Sequence, residues 1–320
     1  MCSLVSKYQV SAFYQFVEVA SPETKKAELE NYLKSTSILG TVLVAGEGVN
    51  GTISGPTDEL EQFFDFLKKV LGVDELPYKV AFCETQPFHR MKVKLKKEIV
   101  TLGIEGIDPL QQVGEYVEAE DWNELIGRDD VLLVDTRNDY EYAVGTFDGA
   151  VNPNTKNFRE FPDYVDREMD PDKTPNVAMF CTGGIRCEKA TALMLKKGFK
   201  NVYHLNGGIL EYFNRIPEEK STWSGECFVF DERVTVNQNL EQGSYEMCHA
   251  CRMPLSEEET KSEHYVKGVS CEYCHDKTSA DKKERLQQRN LQMQLAKERE
   301  EKHLGQPHPR HLQIDSDEIC

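Results

Sequence analysis

Cys181-Thr182-Gly183-Gly184-Ile185-Arg186-Cys187-Glu188-Lys189-Ala190 is the stretch whose reading decides the fold. Before it stands Val177-Ala178-Met179-Phe180, a short apolar run of the kind found in a strand buried on both faces. After it, Ala190, Leu193, Met194 and Leu195 continue as a helix, stopped by Lys196-Lys197 and Gly198. A cysteine is thus expected where a parallel strand ends, on a glycine loop that enters a helix. Backbone N–H groups at a helix N-terminus and the fixed charge of Arg186 both favour thiolate over thiol, so Cys181 is the expected reactive group. The bland alternative is a buried cysteine that happens to precede two turn glycines. It leaves the arginine in the same strand–loop–helix context unexplained. Cys187 carries two readings, a resolving thiol for an oxidised Cys181 or a small residue packed in the first helical turn.

Four residues lie between Cys181 and Arg186, one fewer than cysteine phosphatases place between nucleophile and arginine. The tighter loop resembles the active-site loop of rhodanese domains, which cradles a sulfur-sized group. The resemblance extends from about Trp122 to Ile216. It takes in the strand Val131–Asp135, Asp135-Thr136-Arg137, Glu141-Tyr142, the Gly149-Ala150-Val151-Asn152 turn, and Asn201–Leu205 followed by Asn206-Gly207-Gly208-Ile209. In that family the counterparts of Asp135, Arg137 and Glu141 are structural ion-pair or capping residues.

The chain has 320 residues, enough for two domains and further elements, and a formal net charge of −17. That charge repels phosphate overall, so a nucleic-acid partner has to meet a local basic patch. No apolar run approaches a membrane span, and Met1 to Lys7 lacks the form of a signal peptide. Of ten cysteines, four fall in two CxxC pairs and two in the reactive loop, a usage that suits a reducing cytoplasm.

Upstream of the loop, residues 1–100 read as an α+β domain. A strand is expected over Tyr8–Val19, a helix from Ser21-Pro22 to Lys34, and a hairpin from Gly40–Ala45 and Gly51–Ser54 around Glu47-Gly48-Val49-Asn50-Gly51. A second helix opens at Pro56 and keeps Leu60, Phe63, Phe64, Leu67 and Leu71 at helical spacing. Strands at Tyr78–Cys83 and Arg90–Glu98 complete a ferredoxin-like, acylphosphatase-like order. In the last of these, Arg90, Lys92, Lys94 and Lys96 share one parity and Met91, Val93 and Leu95 the other. The cationic row is either a solvated, lysine-protected edge or a contact strip for a phosphate backbone.

Residues 101–120 read as a linker, 121–217 as the α/β domain with a parallel sheet, and 218–276 as a connector followed by a metal module. There Cys248-His249-Ala250-Cys251 and Cys271-Glu272-Tyr273-Cys274 are separated by nineteen residues. Four thiolates in two such knuckles close a tetrahedral shell around structural zinc, whereas a redox dithiol explains one CxxC and not two. His249 and His275 stand as substitute ligands or supporting groups. Residues 277–320 read as a solvated charged helix and a disordered tail from Gly305.

Taken together, Ala45-Gly46-Glu47-Gly48-Val49-Asn50-Gly51-Thr52, Met91-Lys92-Val93-Lys94 with Glu98-Ile99-Val100, Cys181–Ala190 and Cys248–Pro254 resemble the rhodanese-type tRNA uridine(34) hydroxylase family. The resemblance implies hydroxylation of the wobble uridine at C5 to 5-hydroxyuridine, with molecular oxygen as co-substrate and the tRNA anticodon loop as partner. It also implies an essential cysteine at Cys181, with Arg186 beside it. Thiolate addition to uracil C6 would make C5 nucleophilic; a sulfenate or persulfide on Cys181, regenerated through Cys187, is the alternative chemistry. The runner-up activity is persulfide-carrying sulfur transfer, and a third reading is a non-catalytic adaptor. No flavin or nicotinamide fingerprint is visible, and no stable protein partner is indicated.

Overall fold

A computed structural model of the chain describes residues 8–174 and 176–299, so the tail reading from Gly305 to Cys320 lies outside the described residues. The chain divides into two compact units, one reaching Gly243 and one beginning at Ser244.

The first unit opens with strand β1 (Tyr8–Phe16), helix α1 (Pro22–Leu33), β2 (Leu39–Ala45), β3 (Gly48–Gly55), α2 (Thr57–Leu71), β4 (Tyr78–Cys83) and β5 (Met91–Leu95). The sheet order is β4-β1-β3-β2-β5, with β5 parallel to β2 and the other neighbours antiparallel. Leu60, Phe63, Phe64 and Leu67 of α2 and Leu29 and Leu33 of α1 pack on Phe13, Val42, Val44, Val49, Ile53 and Val93, which fills one face of the sheet. The hairpin turn is tighter than the sequence suggests, because Gly48, Val49 and Asn50 already pair with Ala45, Val44 and Leu43. Gly48 has φ +143°, and a Cβ there would fall 2.0 Å from the Gln15 carbonyl oxygen, so only glycine lets the strands close at that point.

The expected closing strand is also divided differently. β4 completes the four-stranded split motif, and the basic strand is a fifth, added to the free edge of β2. Its ladder continues beyond β5, since the Gly40 N–H donates to the Arg90 carbonyl at 3.1 Å and the Lys96 N–H to that of Val44 at 2.8 Å. The apolar row holds at Val93 but fails at Leu95, which is 41 % exposed past the end of the helical layer.

The central part comprises β6 (Glu115–Val117), α3 (Ala119–Ile126), β7 (Leu132–Asp135), α4 (Asp139–Val144), β8 (Gly145–Phe147), α5 (Phe161–Glu168), β9 (Asn176–Phe180), α6 (Ile185–Lys196), β10 (Asn201–Leu205) and α7 (Gly208–Arg215). Its parallel sheet runs β6-β10-β9-β7, with every residue of β9 buried at the centre. Strand β6 lies within the stretch read as linker. Three residues, two of them exposed, leave no periodicity to read.

The segment after α7 packs back on this core. β11 (Trp223–Gly225) pairs with β8, and β12 (Cys227–Phe228) pairs with β13 (Thr235–Val236) in a short hairpin. Polar contacts tie α6 to the N-terminal sheet. Lys189 is 2 % exposed and its Nζ lies 2.8 Å from Glu47 and 2.6 Å from Glu98, while Glu47 also accepts the Ile99 N–H at 2.7 Å. Removing one partner from so buried a group typically costs about 3–5 kcal/mol, so this triad fixes the two domains together.

The second unit contains the small ladder β14 (Glu246–Met247) with β15 (Pro254–Leu255) and helix α8 (Ala280–Glu298). Asn290 of α8 donates to the Lys267 carbonyl at 2.9 Å. Most α8 side chains are exposed or half-buried, as the charged pattern predicts. No helix among the described residues is long and apolar enough to cross a membrane.

Candidate active site and metal centre

Strand β9 delivers Cys181 to the base of the loop, and α6 begins four residues later at Ile185. Gly184 takes φ +100°, which turns its N–H onto Cys181 Sγ at 3.1 Å. The second glycine turn clamps the loop from the other side. Ile209 and Leu210 donate to the carbonyls of Cys181 and Thr182 at 3.0 and 3.1 Å, and a Cβ on Gly208 would sit 2.4 Å from the Cys181 oxygen.

Burial by itself pushes the Cys181 thiol up. The Cys187 thiol, the Arg186 guanidinium and the N–H groups of Cys187 and Arg186 outweigh it and bring Cys181 down to about 5. Cys187 goes the opposite way, raised by burial and by its neighbouring thiolate, and it touches Thr136 Oγ1 at 3.6 Å. One sulfur is therefore the anion and the other its donor. An ionised group favoured in the native state makes stability rise with pH between the folded and unfolded values. The melting-temperature advantage of the wild type over Cys181→Ala is expected to grow from about pH 5 towards the ordinary thiol value of about 8.5, and to be constant below that window, where only the packing difference remains. Scanning calorimetry of both proteins across this range checks it; an advantage that shrinks as pH rises would show a neutral thiol.

Arg186 is placed differently from a free cation facing substrate. Its fork meets Glu141 at 2.7 and 2.8 Å, with both side chains buried. Burial works to raise the Glu141 carboxyl, and Arg186 overrides it, so Glu141 stays below the usual carboxylate range. The Asn138 N–H donates to Glu141 at 3.1 Å, which ties the loop to the start of α4. Asp135 and Arg137 form a second buried pair at 2.6 Å, and Arg137 also donates to the Gly145 carbonyl. Both carboxylates are thus engaged in buried ion pairs, the arrangement the rhodanese resemblance implies.

Cys181 has no exposed surface, yet it lines a cavity of about 580 Å³. The loop supplies one wall, together with Thr182, Gly183, Ile185 and Arg186. The N-terminal sheet supplies another through its helix-free face, with Ala12, Tyr14, Thr41, Asn50, Thr52 and Lys79. The Tyr14 hydroxyl donates to Glu188 at 2.8 Å and lies 2.9 Å from where a Gly184 Cβ would be, so it rests on the loop itself. Tyr116 donates to the other Glu188 oxygen at 2.8 Å. Lys79 stands 5.5 Å over the Tyr14 ring and its burial pulls its pKa down.

The register carries the cationic row onto the same face. Lys92 pairs with Thr41 and Lys94 with Leu43, both cavity residues, and Lys96 lines the cavity directly. Arg90 lies at the exposed start of the row. The third wall comes from the β12–β13 hairpin through Val229, Phe230, Asp231 and Arg233. Periodicity over 218–247 misses this wall. Its signal is local, an apolar Cys227-Phe228-Val229-Phe230 and Val234-Thr235-Val236 around Asp231-Glu232-Arg233.

In the second unit, the Sγ atoms of Cys248, Cys251, Cys271 and Cys274 all lie within 4.8 Å of one another. Three of the six separations, 3.6, 3.8 and 4.0 Å, lie close to the roughly 3.8 Å edge of a tetrahedron with metal–sulfur bonds of about 2.3 Å. The cluster could hold a metal ion with four sulfurs alone. His275 instead bonds Asp276 at 3.0 Å and stacks on His264.

Residues 8–99 match the family model for the UPF0176 acylphosphatase-like domain, and residues 118–215 match that for the rhodanese-like domain. A tRNA uridine(34) hydroxylase of Teredinibacter turnerae is 50 % identical over 301 residues, 94 % of each chain. Among solved structures, the rhodanese-like domain of an Anabaena protein aligns at 16 % identity and TM-score 0.30, covering 35 % of this chain and 80 % of that one. A human single-domain sulfurtransferase aligns at 22 % identity and TM-score 0.28, covering 32 % and 99 %. The near full-length identity makes this chain a member of the tRNA uridine(34) hydroxylase family.

Proposed function

We propose that this protein hydroxylates uridine 34 of tRNA at C5, with molecular oxygen as co-substrate and Cys181 as the working group. The observation that carries the reading is the sulfur of Cys181, bonded to the Gly184 N–H at the start of α6 and lining a cavity shared with the N-terminal sheet. A thiolate added to uracil C6 leaves an enolate across C5 and O4, and C5 then attacks an oxygen species. Loss of the C5 proton and expulsion of the thiolate restore the ring. The net change is C5–H, O2, two electrons and two protons going to C5–OH and water, with the electrons drawn from an external two-electron donor.

Arg186 contributes to the charge that holds the thiolate, and its fork to Glu141 positions the loop. The Cys187 thiol donates to that thiolate and is the resolving group if Cys181 is oxidised. The row Arg90, Lys92, Lys94 and Lys96 holds phosphates of the anticodon stem-loop, since it lies on the cavity's own sheet face in a chain that is otherwise strongly acidic. The bases of an anticodon loop leave their stack at low cost, which lets uridine 34 enter. Structural zinc held by Cys248, Cys251, Cys271 and Cys274 completes the cytoplasmic enzyme.

Nucleoside mass spectrometry of tRNA from cells with and without the gene tests the assignment. The expected result is loss of 5-hydroxyuridine at position 34 on deletion and its return on complementation. Unchanged 5-hydroxyuridine, together with thiosulfate-to-cyanide activity in the purified protein, would replace hydroxylation with sulfur transfer.

A further inference from the structure

We infer that Phe230 is a stacking shelf for a base flanking uridine 34 in the anticodon loop. The inference rests on the proposed tRNA substrate and says how that site grips it. Phe230 has the highest exposure, 62 %, among the exposed large apolar side chains of the described residues. Its ring nevertheless lines the cavity that holds Cys181. An exposed aromatic at the mouth of such a cavity is suited to base stacking, which is tolerant of sequence and favoured in single-stranded RNA recognition.

The ring is held in place by what surrounds it. Phe228 meets it edge-on at 5.2 Å, and Tyr140 meets Phe228 at 5.2 Å in the same manner, so the shelf is braced by edge-to-face contact with a buried ring. The hairpin tip is built at a cost. Val234 is β-branched and takes φ +65°, a conformation such residues avoid. Asp231 holds the turn by accepting from the Arg233 N–H and from its Nε and Nη2 at 3.0, 2.9 and 2.7 Å, and Glu232 donates its N–H to the Pro87 carbonyl at 3.2 Å.

Arg233 is 7 % exposed and lines the same cavity, and its Nη1 has no hydrogen-bond partner. The depth of the cavity separates the two bases. Cys181 is fully buried and Phe230 mostly exposed, and 580 Å³ is in the range that encloses a whole drug-sized ligand, more than one pyrimidine fills. Uridine 34 goes to the sulfur, and its neighbour stays on the shelf.

The test uses the full chain and an anticodon stem-loop RNA carrying uridine 34. Phe230→Ala is expected to raise KM for the RNA roughly 5- to 100-fold with kcat within about twofold, and Phe230→Tyr to restore it. Trp122 and Trp223 are buried, so Phe230→Trp adds an exposed reporter whose emission should be quenched as the RNA saturates. If the wild type hydroxylates the RNA and Phe230→Ala matches it, the shelf is wrong and the function stands. If the RNA quenches Phe230→Trp but no protein hydroxylates it, the function is wrong and the shelf stands. Saturating RNA that leaves the Phe230→Trp emission unchanged overturns the shelf by itself.

Discussion

Cys181→Ser is expected to lower formation of 5-hydroxyuridine at position 34 by at least about a thousandfold, with affinity for the anticodon stem-loop within about twofold. The asymmetry follows from where the sulfur sits. It is buried at the base of the loop, and the basic row and the Phe230 shelf proposed to grip the RNA are untouched by the change, so binding is spared. The chemistry is not spared, because a serine hydroxyl in the same cradle stays protonated. The Gly184 N–H and the Cys187 thiol lower a thiol that already lies near neutrality in water, and a hydroxyl starts far too high for the same help to ionise it. Single-turnover hydroxylation of the stem-loop by both proteins measures the loss. A serine variant within tenfold of wild type would remove Cys181 from the chemistry and leave the cavity as a binding site only.

The contrast between the two cysteines sharpens this expectation. Cys187 is equally buried, but its proton is held by the anionic neighbour, so the loop contains a thiolate and a thiol and not two equivalent nucleophiles. The pair resembles an acid–base couple built from one residue type. Arg186 could have served as the sole counter-charge, yet Glu141 takes both of its forked nitrogens. The hydrogen-bonding thiol and backbone N–H groups thus carry much of the stabilisation of Cys181.

The loop was legible in the sequence because its chemistry is local. A strand, a glycine pair, an arginine and a helix follow within a few residues, and their spacing alone places Cys181 at the α6 N-terminus. The two CxxC pairs were legible for the same reason. The cavity was not, since it forms from parts far apart in the chain. Tyr14 meets Glu188 across 174 positions, and Lys189 meets Glu98 across 91. In sequence, Glu188 and Lys189 look like the solvated start of an ordinary helix; in the fold they are 7 % and 2 % exposed and face the N-terminal domain. The basic row was legible as an alternation, but only the β2–β5 register showed that it shares a face with the cavity. The hairpin behind Phe230 was hidden by brevity, since strands of two residues leave no period to count.

Removing the metal should have the largest structural effect. Elemental analysis of protein purified without chelators is expected to give one zinc per chain, and Cys248→Ser with Cys271→Ser to give none. The second unit has little else to hold it. Its buried cluster comprises Leu255 and three of the four cysteines, with Ala250, Cys251 and Tyr265 packed around them. So small a core cannot offset the entropy of ordering the loops between the knuckles, whereas a four-thiolate zinc site supplies on the order of 10–16 kcal/mol in peptides of this kind. Chelation should therefore unfold the module and leave the first unit intact, because the cores of the N-terminal and central sheets include none of its residues. Hydrogen exchange reads the two separately. Amides from Ser244 to Lys277 should lose protection on chelation while those of β9 and α6 keep theirs. Metal binding is also pH-linked, since each thiol must shed a proton to bind as a thiolate, so zinc should be released as pH falls. Retained protection across the module in metal-free protein would mean that the four sulfurs are an ordinary apolar core.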